Sequence, residues 1–216
     1  MSTGVFAGLR RSAVDRGTLL CIGLDPRPSA DNGSPYDTIL EANRRIIGET
    51  AEFALAYKPN IAFYEQYGAA GIDALVRTIE MVPDGVFTIL DAKRGDIGST
   101  AESYAVAAFE TFGADLVTVS PYLGRDSVDP FLRYDDRGVF VLCRTSNPSA
   151  SDLQDLNVVG QPVGSGSILY EQTAALALSW GENVGLVVAG NDVGALEALR
   201  RRFPEAWFLA PGIGAQ

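Results

Sequence analysis

The stretch Val86-Phe87-Thr88-Ile89-Leu90-Asp91-Ala92-Lys93-Arg94-Gly95-Asp96-Ile97-Gly98-Ser99-Thr100 sets the pattern for the whole chain. Residues 86–93 are nearly continuously apolar until charges appear at the end, as in a strand buried on both faces. Charged residues and glycines follow, and then a segment, 99–112, with apolar residues at helical spacing. The unit recurs. Apolar runs at 19–25, 54–60, 86–93, 116–121, 138–145, 184–190 and 207–214 predict seven parallel strands. Segments 38–51, 71–81, 99–112, 168–181 and 193–203 predict helices between them. Such alternation means an α/β fold.

Two α/β architectures compete. A doubly wound nucleotide-binding sheet usually carries a glycine-rich turn after its first strand. Here that strand ends Gly23-Leu24-Asp25-Pro26, without the GxGxxG spacing. Polar residues instead mark the C-terminal ends of several strands: Asp25, Lys58, Asp91 with Lys93, Ser120, and Thr145 with Ser146. Barrel enzymes gather their active sites at that rim. The expectation is therefore a (β/α)8 TIM barrel, one domain over residues 1–216. Seven strands fill the chain, so an eighth strand and a closing helix are expected to be absent from it, through truncation or an open barrel. Residues 146–167, rich in Ser, Gly, Asn, Pro and Asp, form a long loop, either a lid or an inert insertion.

Composition narrows the chemistry. The chain has no histidine, which removes Ser–His and Cys–His nucleophile pairs, His-ligated zinc and His general bases. Seventeen basic against 27 acidic residues, a net charge of −10, argue against binding nucleic acid or an anionic membrane. Hydrophobic residues at 47% and charged residues at 20% fit a soluble globular chain. Cys21 and Cys143 read as buried structural thiols in a reducing cytoplasm. Residues 1–17 lack the apolar core of a signal peptide, and no apolar run is long enough to span a membrane.

Asp91 and Lys93 stand two apart on a strand and should point to one side, the barrel interior. Opposite charges there are expensive unless paired or used; spacing alone leaves both a self-satisfied ion pair and a working site open. Asp96 belongs to the same charge cluster or caps the following helix, a duty Ser99 or Thr100 could also fill. A barrel sets Lys58 near Asp91, giving an alternating Lys–Asp–Lys–Asp array whose members stabilise one another.

The pattern Asp-x-Lys-x-x-Asp-Ile-x-x-Thr, here Asp91, Lys93, Asp96, Ile97 and Thr100, resembles the signature of orotidine 5′-phosphate decarboxylases, in their bacterial branch with longer loops. Gly23-Leu24-Asp25, Lys58-Pro59-Asn60, Ser146-Asn147-Pro148 and Pro211-Gly212-Ile213-Gly214-Ala215-Gln216 resemble further motifs of that family in order, so the likeness runs from about Gly17 to Gln216. It implies conversion of orotidine monophosphate to UMP and CO2, without metal or organic cofactor. Lys93 would protonate C6 of the pyrimidine, Asp91 would face the departing carboxylate, and Lys58 would hold Asp91 and a ribose hydroxyl. Asp25 would bind ribose, Ser146 the pyrimidine amide edge, Pro211 the base and Gln216 the phosphate. It also implies a homodimer with shared active sites, Asp96, Ile97 and Thr100 reaching into the partner's. Ile97 would otherwise read as core. An eighth-strand arginine that grips phosphate in the family has no match, so the 216-residue chain is expected to be severely impaired.

Two other readings stand beside this one. Sister barrels that act on sugar phosphates share the short motif but use Mg2+ and typically a histidine. A relic that binds UMP or dimerises without catalysis would also fit seven strands.

Overall fold

The computed structural model describes residues 4–28, 33–159 and 168–213. Helix α1 (Val5–Arg16) comes first and was not anticipated from sequence; it buries Val5, Phe6 and Leu9. Gly17 ends it at φ 64°. The N–H groups of Gly17 and Thr18 return to the carbonyls of Val14 and Ala13, which satisfies the last turn. Arg16 crosses to the Ala51 and Ala54 carbonyls.

The remaining elements alternate as expected. Strand β1 (Cys21–Gly23) precedes α2 (Pro35–Thr50), and β2 (Ala56–Lys58) precedes the short α3 (Ala62–Glu65) and α4 (Gly68–Glu80). Next come β3 (Phe87–Arg94) and α5 (Gly98–Val106), which runs into a π-helical turn at Ala107–Thr111. Strand β4 (Leu116–Val119) leads to α6 (Asp129–Leu132), and β5 (Gly138–Arg144) to α7 (Ser151–Gln154) and α8 (Leu169–Leu178). The last are β6 (Val184–Val188), α9 (Val193–Arg202) and β7 (Phe208–Leu209). The strand order is β1-β2-β3-β4-β5-β6-β7. Parallel register sets Cys21 opposite Ala56, Ala56 opposite Phe87, Val139 opposite Val184 and Leu186 opposite Phe208. Parallel neighbours consecutive in sequence need a crossover each time, which the helices supply.

The chain forms two compact units, Met1–Ala92 with Glu102–Val117, and Lys93–Ala101 with Thr118–Gln216. In the first, Leu24, Ile47, Ala54, Tyr57 and Val86 make a buried cluster, with Ile22, Ile46, Met81 and Val82 packed against it. Helix α2 turns Ile39, Asn43 and Ile47 inward at i, i+4 and i+8. In the second, α8 packs on β5 and β6 through Tyr170, Ala174 and Ala177.

Strands β4 and β6 are buried along their whole length, as their unbroken apolar runs imply. The outermost, β1 and β7, are only three and two residues long, shorter than their runs. The segment after β5 is less of a loop than its composition suggested. It holds a 3-10 turn at Pro148–Ala150, then α7, and Asn157 bridges antiparallel to Ile168. No helix among the described residues is long and apolar enough to cross a membrane.

Candidate active site

In the first unit, the end of β2 meets β3 through charge. Lys58 Nζ lies 3.5 Å from Asp91 Oδ2, with the two side chains 17% and 12% exposed. The Asn60 carboxamide donates to the same carboxylate oxygen at 3.2 Å. Its backbone N–H donates to Asp25 Oδ1 at 3.0 Å, and its Oδ1 accepts from the Ala62 N–H at 3.1 Å. The backbones are also tied, Asp91 N–H to the Pro59 carbonyl and Ile61 N–H to the Asp91 carbonyl. Asn60 therefore joins Asp25 to Asp91. The motif Lys58-Pro59-Asn60 does not by itself assign Asn60 this role; its signal is a carboxamide two residues past a strand-end lysine.

Cys21 senses this cluster. Burial pushes its thiol up to about 11; Lys58 opposes the rise, and Asp91 and Asp25 add to it. Both cysteines are free thiols, Cys143 buried and Cys21 half-buried, so Cys21 is less enclosed than expected.

In the second unit, Lys93 departs from strand geometry. Its φ is +50°, unique among non-glycine residues described. Its N–H donates to Thr118 Oγ1 at 2.9 Å, and Thr118 is almost wholly buried. Left-handed backbone at a residue with a Cβ costs on the order of 1–2 kcal/mol. The alternation expected for Asp91 and Lys93 assumes extended backbone at both. The left-handed turn removes that basis, and Lys93 is exposed rather than interior.

The loop that follows is fixed to β4. The Ser120 N–H donates to the Arg94 carbonyl at 2.7 Å, and a Cβ on Gly95 would lie 2.9 Å from the Ser120 carbonyl oxygen. Only glycine permits that approach. Asp96 Oδ1 accepts from its own neighbour, the Ile97 N–H, at 2.7 Å. That bond differs from a helix cap, which accepts from two or three residues on. Ile97 is 63% exposed, so it is not core of this chain. Thr100 is exposed as well, its N–H on the Ile97 carbonyl.

Ser146 is half-buried just beyond β5. Its neighbour Thr145 is clamped by Gln154, which accepts the Thr145 N–H at 2.9 Å and donates to its hydroxyl at 2.7 Å. Arg144 grips Asp155 with both terminal nitrogens and Asp192 with Nε. Burial works against the Arg144 charge, yet the two carboxylates raise its pKa. Burial would likewise raise Asp192, but the Ala195 N–H and Arg144 hold it below the usual carboxylate range. Arg144 is thus committed to structure. The Pro211 carbonyl accepts the Gly190 N–H at 2.7 Å. Gln216 lies outside the described residues.

The structure brings together Lys58, Asp91 and Asp25 around Asn60. Lys93, Asp96, Ile97 and Thr100 share one strand end and the loop and helix start after it, and Ser146 and Pro211 follow other strands of the second unit. Parallel strands alternating with helices, and charged groups at the C-terminal strand ends, define an α/β-barrel enzyme. Comparison with known proteins specifies it. Residues 18–216 match the model of the orotidine 5′-phosphate decarboxylase / HUMPS family. The orotidine 5′-phosphate decarboxylase of Thermomicrobium roseum is 51% identical over 96% of this chain and 75% of its own. That of Roseiflexus castenholzii is 48% identical over 98% and 78%. The solved OMP decarboxylase of Leishmania donovani superposes with a TM-score of 0.87 at 46% identity, covering 97% of this chain and 80% of that one. The chain belongs to the orotidine 5′-phosphate decarboxylase / HUMPS family.

Proposed function

We propose that the chain decarboxylates orotidine 5′-phosphate to UMP in pyrimidine biosynthesis. The family covers two activities, and the relatives at about half identity named above are decarboxylases. The observation that carries the reading on this chain is the Lys58–Asp91–Asn60–Asp25 cluster, bonded as a unit.

In the reaction the bond from C6 to the carboxylate carbon breaks, CO2 leaves, and the electron pair stays on C6. A proton from the Lys93 ammonium then forms the C6–H bond. A fixed cation there stabilises the developing carbanion before it supplies the proton. Asp91 faces the departing carboxylate. Lys58 and Asn60 hold it in place, and Lys58 and Asp25 bind ribose hydroxyls. Ser146 reads the amide edge of the pyrimidine, Pro211 packs on the base and Gln216 meets the phosphate.

The protein acts as a homodimer in which Asp96, Ile97 and Thr100 enter the partner's site. The exposure of Ile97 and Thr100 supports this, since neither is used by its own core. No metal or organic cofactor takes part. Free Cys21 and Cys143 support a reducing compartment, the cytoplasm.

The test is UMP formation from orotidine monophosphate in the presence of EDTA. Whatever turnover the protein shows should be the same with and without the chelator. Loss of activity on chelation favours the metal-dependent sister reaction. UMP binding without turnover favours a non-catalytic relic.

A further inference from the structure

Behind the charged cluster, three polar side chains lie fully buried in the first unit. Asn43 of α2, Tyr64 of α3 and Thr78 of α4 are each 0% exposed. Asn43 Nδ2 donates to the Tyr64 oxygen at 3.0 Å and to Thr78 Oγ1 at 2.9 Å. The Tyr64 hydroxyl donates to the Leu24 carbonyl at 2.8 Å. A phenol has one proton, and with that proton on Leu24 its oxygen can only accept from Asn43. The bonds therefore run in one direction, from Asn43 through Tyr64 to Leu24. Burial drives the Tyr64 pKa well above its ordinary value, so the proton stays in place.

The arrangement is costly. Asn43 Oδ1 is buried with no partner, and an unsatisfied buried acceptor costs about 1–3 kcal/mol. Apolar side chains would pack three helices together without that cost. What the polar chain does instead is fix Leu24. The Leu24 N–H donates to the Lys58 carbonyl at 3.1 Å, so both backbone groups of Leu24 are held. The next residue is Asp25, whose carboxylate accepts the Asn60 N–H.

We propose that Tyr64, oriented by Asn43, is a positioning residue for Asp25 and sets the grip on ribose. The proposal rests on the reading of Asp25 as a ribose ligand.

The experiment is a double-mutant cycle of Tyr64→Phe and Asp25→Ala, with Thr78→Val as a second buried variant. The readouts are UMP affinity by calorimetry, the KM and kcat for orotidine monophosphate, and thermal midpoints. Tyr64→Phe should weaken UMP about fivefold, the effect of one lost hydrogen bond of average strength. The rise should fall on KM more than on kcat. In the Asp25→Ala background the same change should weaken UMP by less than about twofold, since the coupled partner is gone. Thr78→Val should lower the thermal midpoint and leave UMP affinity within about twofold, because the Tyr64 bond to the Leu24 carbonyl does not pass through Thr78. Equal effects of Tyr64→Phe in both backgrounds overturn the proposal, as does a Thr78→Val loss of affinity matching that of Tyr64→Phe. An Asp25→Ala protein that binds UMP as tightly as the unaltered one overturns the ribose assignment itself.

Discussion

The candidate-site residues of the first unit and those of the second are treated in opposite ways. Lys58 and Asp91 are largely enclosed and answer each other within their unit, and Asn60 adds a bond to Asp91. Lys93 and Ile97 are exposed, one on left-handed backbone and the other in the loop beyond it. The first group is completed by folding. The second is presented at the surface, where a substrate or a second chain can reach it. Changes in the first group should therefore cost stability and activity together, and changes in the second activity alone.

The largest effect expected is from Lys93→Ala. Decarboxylation should fall by more than about a thousandfold, since the proposed mechanism loses its acid together with that group's charge stabilisation. Unfolding in denaturant should move by less than about 0.5 kcal/mol, the usual range for an exposed side chain. Lys93→Gly should be equally inactive but more stable by about 0.5–1 kcal/mol, because glycine accepts φ +50° without strain. A joint loss of activity and stability in these variants would break the comparison.

Mixing tests the outward-facing half directly. Lys93→Ala and Asp96→Ala proteins should each be inactive. An equal mixture should recover about a quarter of the unaltered activity, from the one intact site of each mixed dimer of a symmetric pair. Recovery of none would mean that Asp96 serves its own chain.

Smaller effects come from the buried partners that support each half. Lys58→Ala should cost about 1–3 kcal/mol in denaturant unfolding, because it takes the facing cation from a largely buried carboxylate. Thr118→Val should cost about 1 kcal/mol through the lost acceptor of the Lys93 N–H, and should lower kcat more than it changes UMP affinity.

The smallest effect is the pH response of the thiols. Burial raises Cys21 from 9.0 to about 11 and Cys143 from 9.0 to about 12. The folded state therefore holds these protons more tightly than the unfolded chain does. Stability from this source is complete below the unfolded value and declines as pH rises from about 9 toward the folded values. At pH 8 a thiol reagent should meet a Cys21 thiolate population about a hundredfold below that of the unfolded chain. Rapid labelling of native protein would contradict the burial.

Much was legible in the sequence. Apolar runs located every strand of the described chain, most sharply β4 and β6, because a strand buried on both faces must be apolar along its length. Helical spacing located α2, α4, α5, α8 and α9. The signal was too weak for α1, whose inward face is just Val5, Phe6 and Leu9. It was also too weak for α3, α6 and α7, which are single turns.

By itself the sequence determined the alternation of strand and helix, the lack of histidine in these 216 residues, and a charged motif at a strand end. These are properties of neighbouring residues and of composition. Tertiary structure alone decided that Asn60 joins Asp25 to Asp91, and that Lys93 turns left-handed. The acceptors involved lie 31 to 35 residues from Asn60 and 25 from Lys93. No local period encodes a hydrogen bond between strands. Only folding brings those donors and acceptors within reach, and that contact fixes which charges are enclosed and which face outward.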